Sequence, residues 1–279
     1  MAISKKVSKR ISKKLKRYRS ILSEAKTRDI SESDTVTIIV EMLADFFGYN
    51  KFTEITKEFE IRSTYCDLAV KVADDVRYLI EAKAIGVTLK ENHVKQAVDY
   101  ASNKGIDWVV LTNGVIWQVY KVHFKKPVDK SLVCEIDMIA ANPRDPQVIE
   151  CLGNLTREGF TPSSMDTFYQ RQQVTSRFAL ASLLLSERVL KTLRKELRKV
   201  APKLKVDIKA LEETLRDEVL KREVVESDEA KQAAKFLKKA SKASAKARAK
   251  KGGENTLQSS QIQDYQLQSR EPGEEGNDA

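Results

Sequence analysis

The stretch Tyr65-Cys66-Asp67-Leu68-Ala69-Val70-Lys71-Val72-Ala73-Asp74-Asp75-Val76-Arg77-Tyr78-Leu79-Ile80-Glu81-Ala82-Lys83 decides how this chain is read. Its apolar residues alternate in the period of two that marks half-buried strands, and Asp74-Asp75 supplies a turn. Residues 58–72 and 77–85 are therefore expected to pair as an antiparallel hairpin. A three-residue turn that sets Val72 opposite Val76 puts Asp67 across from Glu81 and Ala69 across from Leu79. The same register gathers Leu68, Val70 and Val72 with Tyr78, Ile80 and Ala82 on the other, apolar face. A turn of two or four residues would scramble both faces, because a slip of one residue inverts the pleat. Hydrophobic patterning thus brings Asp67, Glu81 and Lys83 together on one side of a sheet.

Upstream, residues 4–20 hold nine Lys or Arg and no acid, while Val7, Ile11, Leu15, Tyr18 and Leu22 recur at spacings of three and four. That is one apolar stripe on a very basic helix, able to lie on DNA, an anionic surface or a partner. After a break at 28–34 with capping Ser and Asp, residues 35–47 are almost continuously apolar before Gly48, which predicts a buried helix closed by glycine. Downstream, residues 90–103 read as a helix with Gly105 at its end, and 106–112 as an apolar strand. Asn113-Gly114 carries a type I′ hairpin signal, 115–122 returns as a strand, and 131–140 is one more. The order is α/β with a central mixed sheet flanked by helices and a right-handed βαβ crossover.

Beyond the loop at 142–146 the chain turns helical, with a helix over 147–158 and a long one over 165–200. In the latter Leu183, Leu190 and Leu197 stand seven apart, with Leu193 and Val200 interleaved, a short coiled-coil-like seam compatible with a homodimer, other subunits or packing within the chain. Pro202 stops it, and Asp207 can cap a further helix. The expected division is a basic helix at 1–30, a core at 31–142, a helical region at 143–225, and a basic extension with a disordered acidic tail at 226–279.

The chain has 279 residues, 41% hydrophobic and 32% charged, with a formal net charge of +10. Basic residues exceed acidic ones by nine over residues 1–30 and by ten over 141–251, whereas the middle, 31–140, is slightly acidic. Positive flanks around an acidic core suit a polyanionic partner, with nucleic acid foremost. No run is long and apolar enough for a membrane span and no secretory signal is read at the start, so the cytosol is the expected compartment. Cys66, Cys134 and Cys151 lie far apart without CxxC pairing, and all three are expected to be small buried hydrophobes rather than disulfide or zinc ligands. With only His93 and His123, a histidine-based metal nuclease is excluded, and no P-loop motif marks a motor.

Glu81 and Lys83 inside an apolar strand carry a desolvation cost unless a metal, water or ligand meets them. Two carboxylates and an ammonium at one spot suit a divalent metal: Asp67 and Glu81 hold it by oxygen, and Lys83 positions or deprotonates the attacking water and steadies developing charge. The expected reaction is phosphodiester hydrolysis.

Asp67 followed after a hairpin by Glu81-Ala82-Lys83 resembles the PD-(D/E)XK nucleases, and Gln96-Ala97-Val98-Asp99-Tyr100 is similar to the QxxxY element some of them carry. The segment from Tyr65 through Thr112-Asn113-Gly114-Val115-Ile116-Trp117 looks most like the N-terminal nuclease domain of type I restriction enzyme R subunits. The resemblance covers residues 30–140. It implies a restriction-endonuclease-like core and an endonuclease acting on DNA with Mg²⁺, for which Mn²⁺ can substitute. Asp67 and Glu81 become metal ligands, Lys83 the catalytic lysine and Gln96 an orienting group. Family members often place a Glu on the first helix near the metal, and Glu41 is the acid deep within that apolar helix, although Thr37 and Asp45 one turn either side fit a polar helix edge equally. Tyr65-Cys66 departs from the Pro that names the motif. Two other functions stay open: a DNA-binding or scaffolding protein with a catalytically inactive nuclease fold, and an adaptor built on the N-terminal helix and the seam. Trp108 and Trp117 are read as core aromatics and His93 as a surface residue.

Overall fold

The structure, a computed structural model, describes residues 3–61, 64–203 and 205–242. It divides into two compact units, residues 1–172 and 173–279, and the candidate site lies wholly in the first.

The first unit opens with helices α1 (Lys5–Thr27) and α2 (Glu32–Asp45), each started by a serine: Ser4 Oγ accepts from Val7 N and Ser31 Oγ from Asp34 N. The apolar stripe of the basic helix is buried, with Val7, Ile11, Leu15, Tyr18 and Leu22 all at most 4% exposed in the main core. Burial of such side chains is worth about 1.5–3 kcal/mol each, so α1 is a structural member of the core rather than a detached arm. Its basic residues divide accordingly. Lys14 and Arg17 pair with Asp45 on α2 and Arg10 with Glu158, while Lys5, Lys6, Lys9, Lys13 and Lys16 remain exposed.

Six strands follow: β1 (Ile55–Ile61), β2 (Thr64–Val72), β3 (Asp75–Ala82), β4 (Trp108–Thr112), β5 (Ile116–His123) and β6 (Asp129–Asp137). They form one sheet in chain order. Only β3 and β4 are parallel, because α3 (Glu91–Lys104) carries the chain back between them. The architecture is the expected α/β fold with a mixed sheet flanked by helices. Leu68, Val70, Tyr78, Ile80 and Ala82 face the core shared with α1 and α2. Ala69, Leu79, Val109 and Leu111 face α3. Trp108 and Trp117 are core aromatics, as expected, at 2% and 1% exposure.

Three local expectations about the strands and their turns are corrected. The strand expected over 58–72 is two strands, β1 and β2, which pair antiparallel. The β2–β3 turn has two residues, Ala73 and Asp74, both in the left-handed region at φ 51° and 65° as a type I′ hairpin requires. Val72 accordingly pairs with Asp75 rather than Val76, and the slip this introduces is absorbed by a β-bulge between Val70 and Lys71. Beyond the bulge Ala69 pairs with Leu79 and Leu68 with Ile80, the register expected at the site. The Asn113-Gly114 connection is not type I′, since Gly114 has φ 82° and Asn113 stays out of the positive region. Asn113 works through its amide instead. Its Oδ1 accepts from Val115 N and Ile116 N, and its Nδ2 donates to Ile85 O and Val87 O, fastening the loop after β3 to the β4–β5 turn.

Cys134 on β6 and Cys151 on α4 (Pro146–Asn154) form a disulfide, which overturns the expectation of three free thiols. A separation of 17 positions hides the pairing in the sequence, and only the seating of α4 against the sheet brings the two together. Cys66 is free and buried, its thiol pushed up to about 12 by burial.

The helix expected over 165–200 is three: α5 (Pro162–Thr175), α6 (Arg177–Leu184) and α7 (Glu187–Val200). Ser176 starts α6 by accepting from Ala179 N, and Ser186 stands at the start of α7, because serine competes with the helix interior for backbone partners. The leucine seam is broken with it: Leu190 is buried, but Leu183, Leu197 and Val200 are 41%, 36% and 85% exposed. In the second unit α8 (Ile208–Thr214), a π-helical turn at Leu215–Val219, α9 (Arg222–Glu226) and a helical stretch at 228–242 follow. The expected disordered tail beyond Gly252 lies outside the described residues. No helix among the described residues is long and apolar enough to cross a membrane.

Candidate active site

The C-terminal ends of the parallel strands β3 and β4 form the site, which is where open α/β sheets collect ligands. Glu81 and Lys83 stand two residues apart on and just beyond β3, so both project to the α3 side with Leu79. Asp67 enters from β2 one residue past the Leu68–Ile80 pair, and its Oδ2 accepts from the Ala82 backbone N–H at 2.7 Å. Lys83 N bonds to Thr112 O at 2.9 Å, holding the end of β3 beside β4. The three side chains picked from the sequence do converge.

Their electrostatics are those of a crowded, half-desolvated cluster. Glu81 is 5% exposed. Its Oε1 accepts from Lys83 Nζ at 2.7 Å, while its Oε2 is buried with no hydrogen-bond partner. Burial raises the Glu81 carboxyl above its usual range, the Lys83 bond opposes that, and the Asp67 charge adds to it. Asp67 is also raised by burial, with the Ala82 N–H and Lys83 pulling the other way. Burial acts to lower Lys83, yet the hydrogen bond and charge of Glu81, with Asp67 and Glu32, outweigh it and hold the ammonium above its ordinary value.

Among the described residues no group of three or more His, Cys, Asp or Glu side chains is arranged to hold a metal by itself. Two carboxylates are nonetheless a fitting set for Mg²⁺, which keeps several waters and is held by one or two carboxylates. The orphaned Glu81 Oε2 is the donor such an ion lacks a competitor for. A buried, unsatisfied carboxylate oxygen costs about 1–3 kcal/mol or more, and a cation would relieve it.

Glu41 is not part of this cluster. It pairs with Lys51 at 2.8 Å with its side chain half exposed. The acid that α2 does present is Glu32, whose Oε2 lies 3.9 Å from Lys83 Nζ and whose charge acts on both Asp67 and Glu81. Nine residues of a 3.6-residue helix put Glu41 on the opposite side of α2 from Glu32. Glu32 lies in the break at 28–34 beside the capping residues Ser31 and Asp34, and nothing in that local pattern marks it as a site acid. Thr35 fixes the helix at this end, its Oγ1 accepting from Ile85 N at 3.1 Å.

Gln96 is exposed on α3, the helix packed on the sheet face that carries Asp67 and Glu81, and Tyr100 one turn on is buried. His93 serves α3 itself, its Nδ1 accepting from Lys90 N at 3.2 Å.

Residues 31–136, which carry every member of the cluster, match the family described as type I restriction enzyme R protein N terminus. The resemblance read from the strand motifs is thereby shown over that stretch, under half of the chain. No curated protein matches the chain, and no solved structure does.

Proposed function

We propose that the restriction-nuclease-like domain of residues 31–136 is a Mg²⁺-dependent endonuclease that hydrolyses phosphodiester bonds in DNA. The observation that carries this reading is the meeting of Asp67, Glu81 and Lys83 around a buried carboxylate oxygen with no partner. Asp67 and Glu81 would hold the ion, which when bound polarises a phosphate oxygen and acidifies a water. Lys83 Nζ has three donors, of which Glu81 Oε1 and Ala82 O take two at 2.7 and 2.8 Å. The third is free to meet a phosphate oxygen. Held protonated by its acidic neighbours, Lys83 suits stabilisation of developing negative charge better than removal of a proton. Glu32 positions the ammonium from the α2 side. Gln96, on the helix above, is proposed as the group that orients the water or the substrate.

The test is supercoiled plasmid incubated with the full chain and Mg²⁺ or Mn²⁺, beside EDTA and Lys83→Ala controls. Nicking by the wild type that disappears in both controls is expected. Equal nicking by wild type and Lys83→Ala, or none in any metal, would overturn hydrolysis at this site.

A further inference from the structure

Glu81 belongs to a row that runs across the sheet on the α3 side. By register Glu81 pairs with Leu111, Leu111 with Gln118, and Gln118 with Glu135. With strands about 4.8 Å apart, Gln118 stands roughly 10 Å from Glu81 along that row. Beside it opens a cavity of about 250 Å³ between the start of α3 and strands β5 and β6. It is lined by Leu89, Lys90, Glu91, Gln118, Tyr120, Lys130 and Leu132.

Three features mark this cleft as built for a ligand. First, the Gln118 amide is oriented: Oε1 accepts from Tyr120 OH at 2.9 Å and Nε2 donates to Glu135 Oε2 at 2.6 Å. Each amide atom keeps one further hydrogen-bonding position, an adjacent donor and acceptor. Second, a β-bulge in β6 decides which side chains line the cleft. Cys134 pairs with Val119 but Leu132 with Tyr120, so Val133 is the extra residue and Leu132 and Lys130 turn toward the α3 side. Leu132 remains 49% exposed there. Third, among the described residues the Lys130 ammonium, 19% exposed, pairs with the 85% exposed carboxylate of Glu91 at 2.8 Å, a partner open to water that a phosphate can replace.

We propose that this cleft receives an unstacked nucleobase of the substrate strand, packed against Leu89 and Leu132, read by the Gln118 amide, with Lys90 and Lys130 on the flanking phosphate. The inference rests on the nuclease reading and deepens it by naming how the substrate is gripped. An amide offering adjacent donor and acceptor is the group that reads base edges, and apolar side chains hold a base taken out of the stack. The volume is below the ~300–1,000 Å³ of pockets for drug-sized ligands and suits a single ring system. The distance from Glu81 is that from a phosphate, through its sugar, to a nearby base.

Duplexes carrying 2-aminopurine at successive positions, titrated with the full chain in Ca²⁺, test this while anisotropy reports binding. One position is expected to brighten several-fold. Leu132→Glu, at an exposed position, should abolish that signal with binding changed less than tenfold. Gln118→Leu should keep the signal and erase preference among bases at that position. Lys130→Ala should lower the slope of log affinity against log salt by about one. Binding without brightening at any position, or brightening that survives Leu132→Glu, would overturn the pocket and leave the nuclease reading intact. Brightening without plasmid cleavage in Mg²⁺ would support the pocket and sink hydrolysis. Absence of DNA binding would sink both.

Discussion

Glu81→Gln should separate a catalytic role for the buried cluster from a structural one. In the metal-free protein Glu81 Oε2 is buried without a partner, a penalty of about 1–3 kcal/mol that grows with charge. Against it stands the Lys83 bond to Oε1, a charge-assisted contact of about 1.5–3 kcal/mol. The amide oxygen of glutamine keeps an acceptor for Lys83, which also retains Ala82 O and a side chain 21% exposed. Because the Glu81 carboxyl is raised, burial and Asp67 prevail over Lys83, and the neutral side chain is the better native resident. Glu81→Gln in EDTA at neutral pH should thus melt at or above wild type. Mg²⁺ at a hundred times its Kd should then stabilise wild type by about 2.7 kcal/mol, roughly 5–10 °C, and the variant far less, reversing the order. The pH dependence has a definite sign. A raised carboxylate lets the native state hold a proton that the unfolded chain has released, so metal-free stability from this group is complete below its ordinary value near 4.5 and declines as pH rises through the raised value. The advantage of Glu81→Gln should vanish as pH falls toward 4.5. A variant melting many degrees below wild type in EDTA, or gaining as much from Mg²⁺, would refute the reasoning, since the ionised pair would then be a structural clamp.

Glu32→Gln should lower the cleavage rate by about ten- to a hundredfold, as loss of a supporting group around a metal site does, because Lys83 loses the charge that positions its ammonium, while Glu41→Gln leaves it unchanged; plasmid nicking rates decide, and the reverse pattern would restore Glu41 to the site. Asn113→Ala removes four hydrogen bonds from a buried side chain and should cost about 2–4 kcal/mol in denaturant titrations, whereas a loss under 1 kcal/mol would mean that the loop after β3 is held by other contacts. Thiol titration of the unfolded, unreduced chain should find one reactive cysteine, Cys66, and three after reduction; three before reduction would dismiss the Cys134–Cys151 bridge.

The alternation of apolar residues between Tyr65 and Lys83 was enough, by itself, to determine that Asp67, Glu81 and Lys83 share a face, because one side of the hairpin had to be apolar. It determined this even though the turn is one residue shorter than the pattern suggests: the Val70/Lys71 bulge cancels the shortened turn, and a bulge that compensates for a slip leaves no trace in the pattern of buried residues. The stripe on α1 was equally legible, but what it faces was not, since amphipathicity states that a face is buried and never against what. Tertiary structure alone selected Glu32 over Glu41, because helix phase relative to a neighbouring strand depends on how α2 is docked, here by Thr35 on Ile85 N. It alone joined Cys134 to Cys151 and gathered Gln118, Tyr120 and Leu132 into one cleft on the sheet face that carries Glu81. Contacts within a strand or a hairpin follow from local periodicity, whereas contacts between elements distant in the chain depend on packing that no short window of residues encodes.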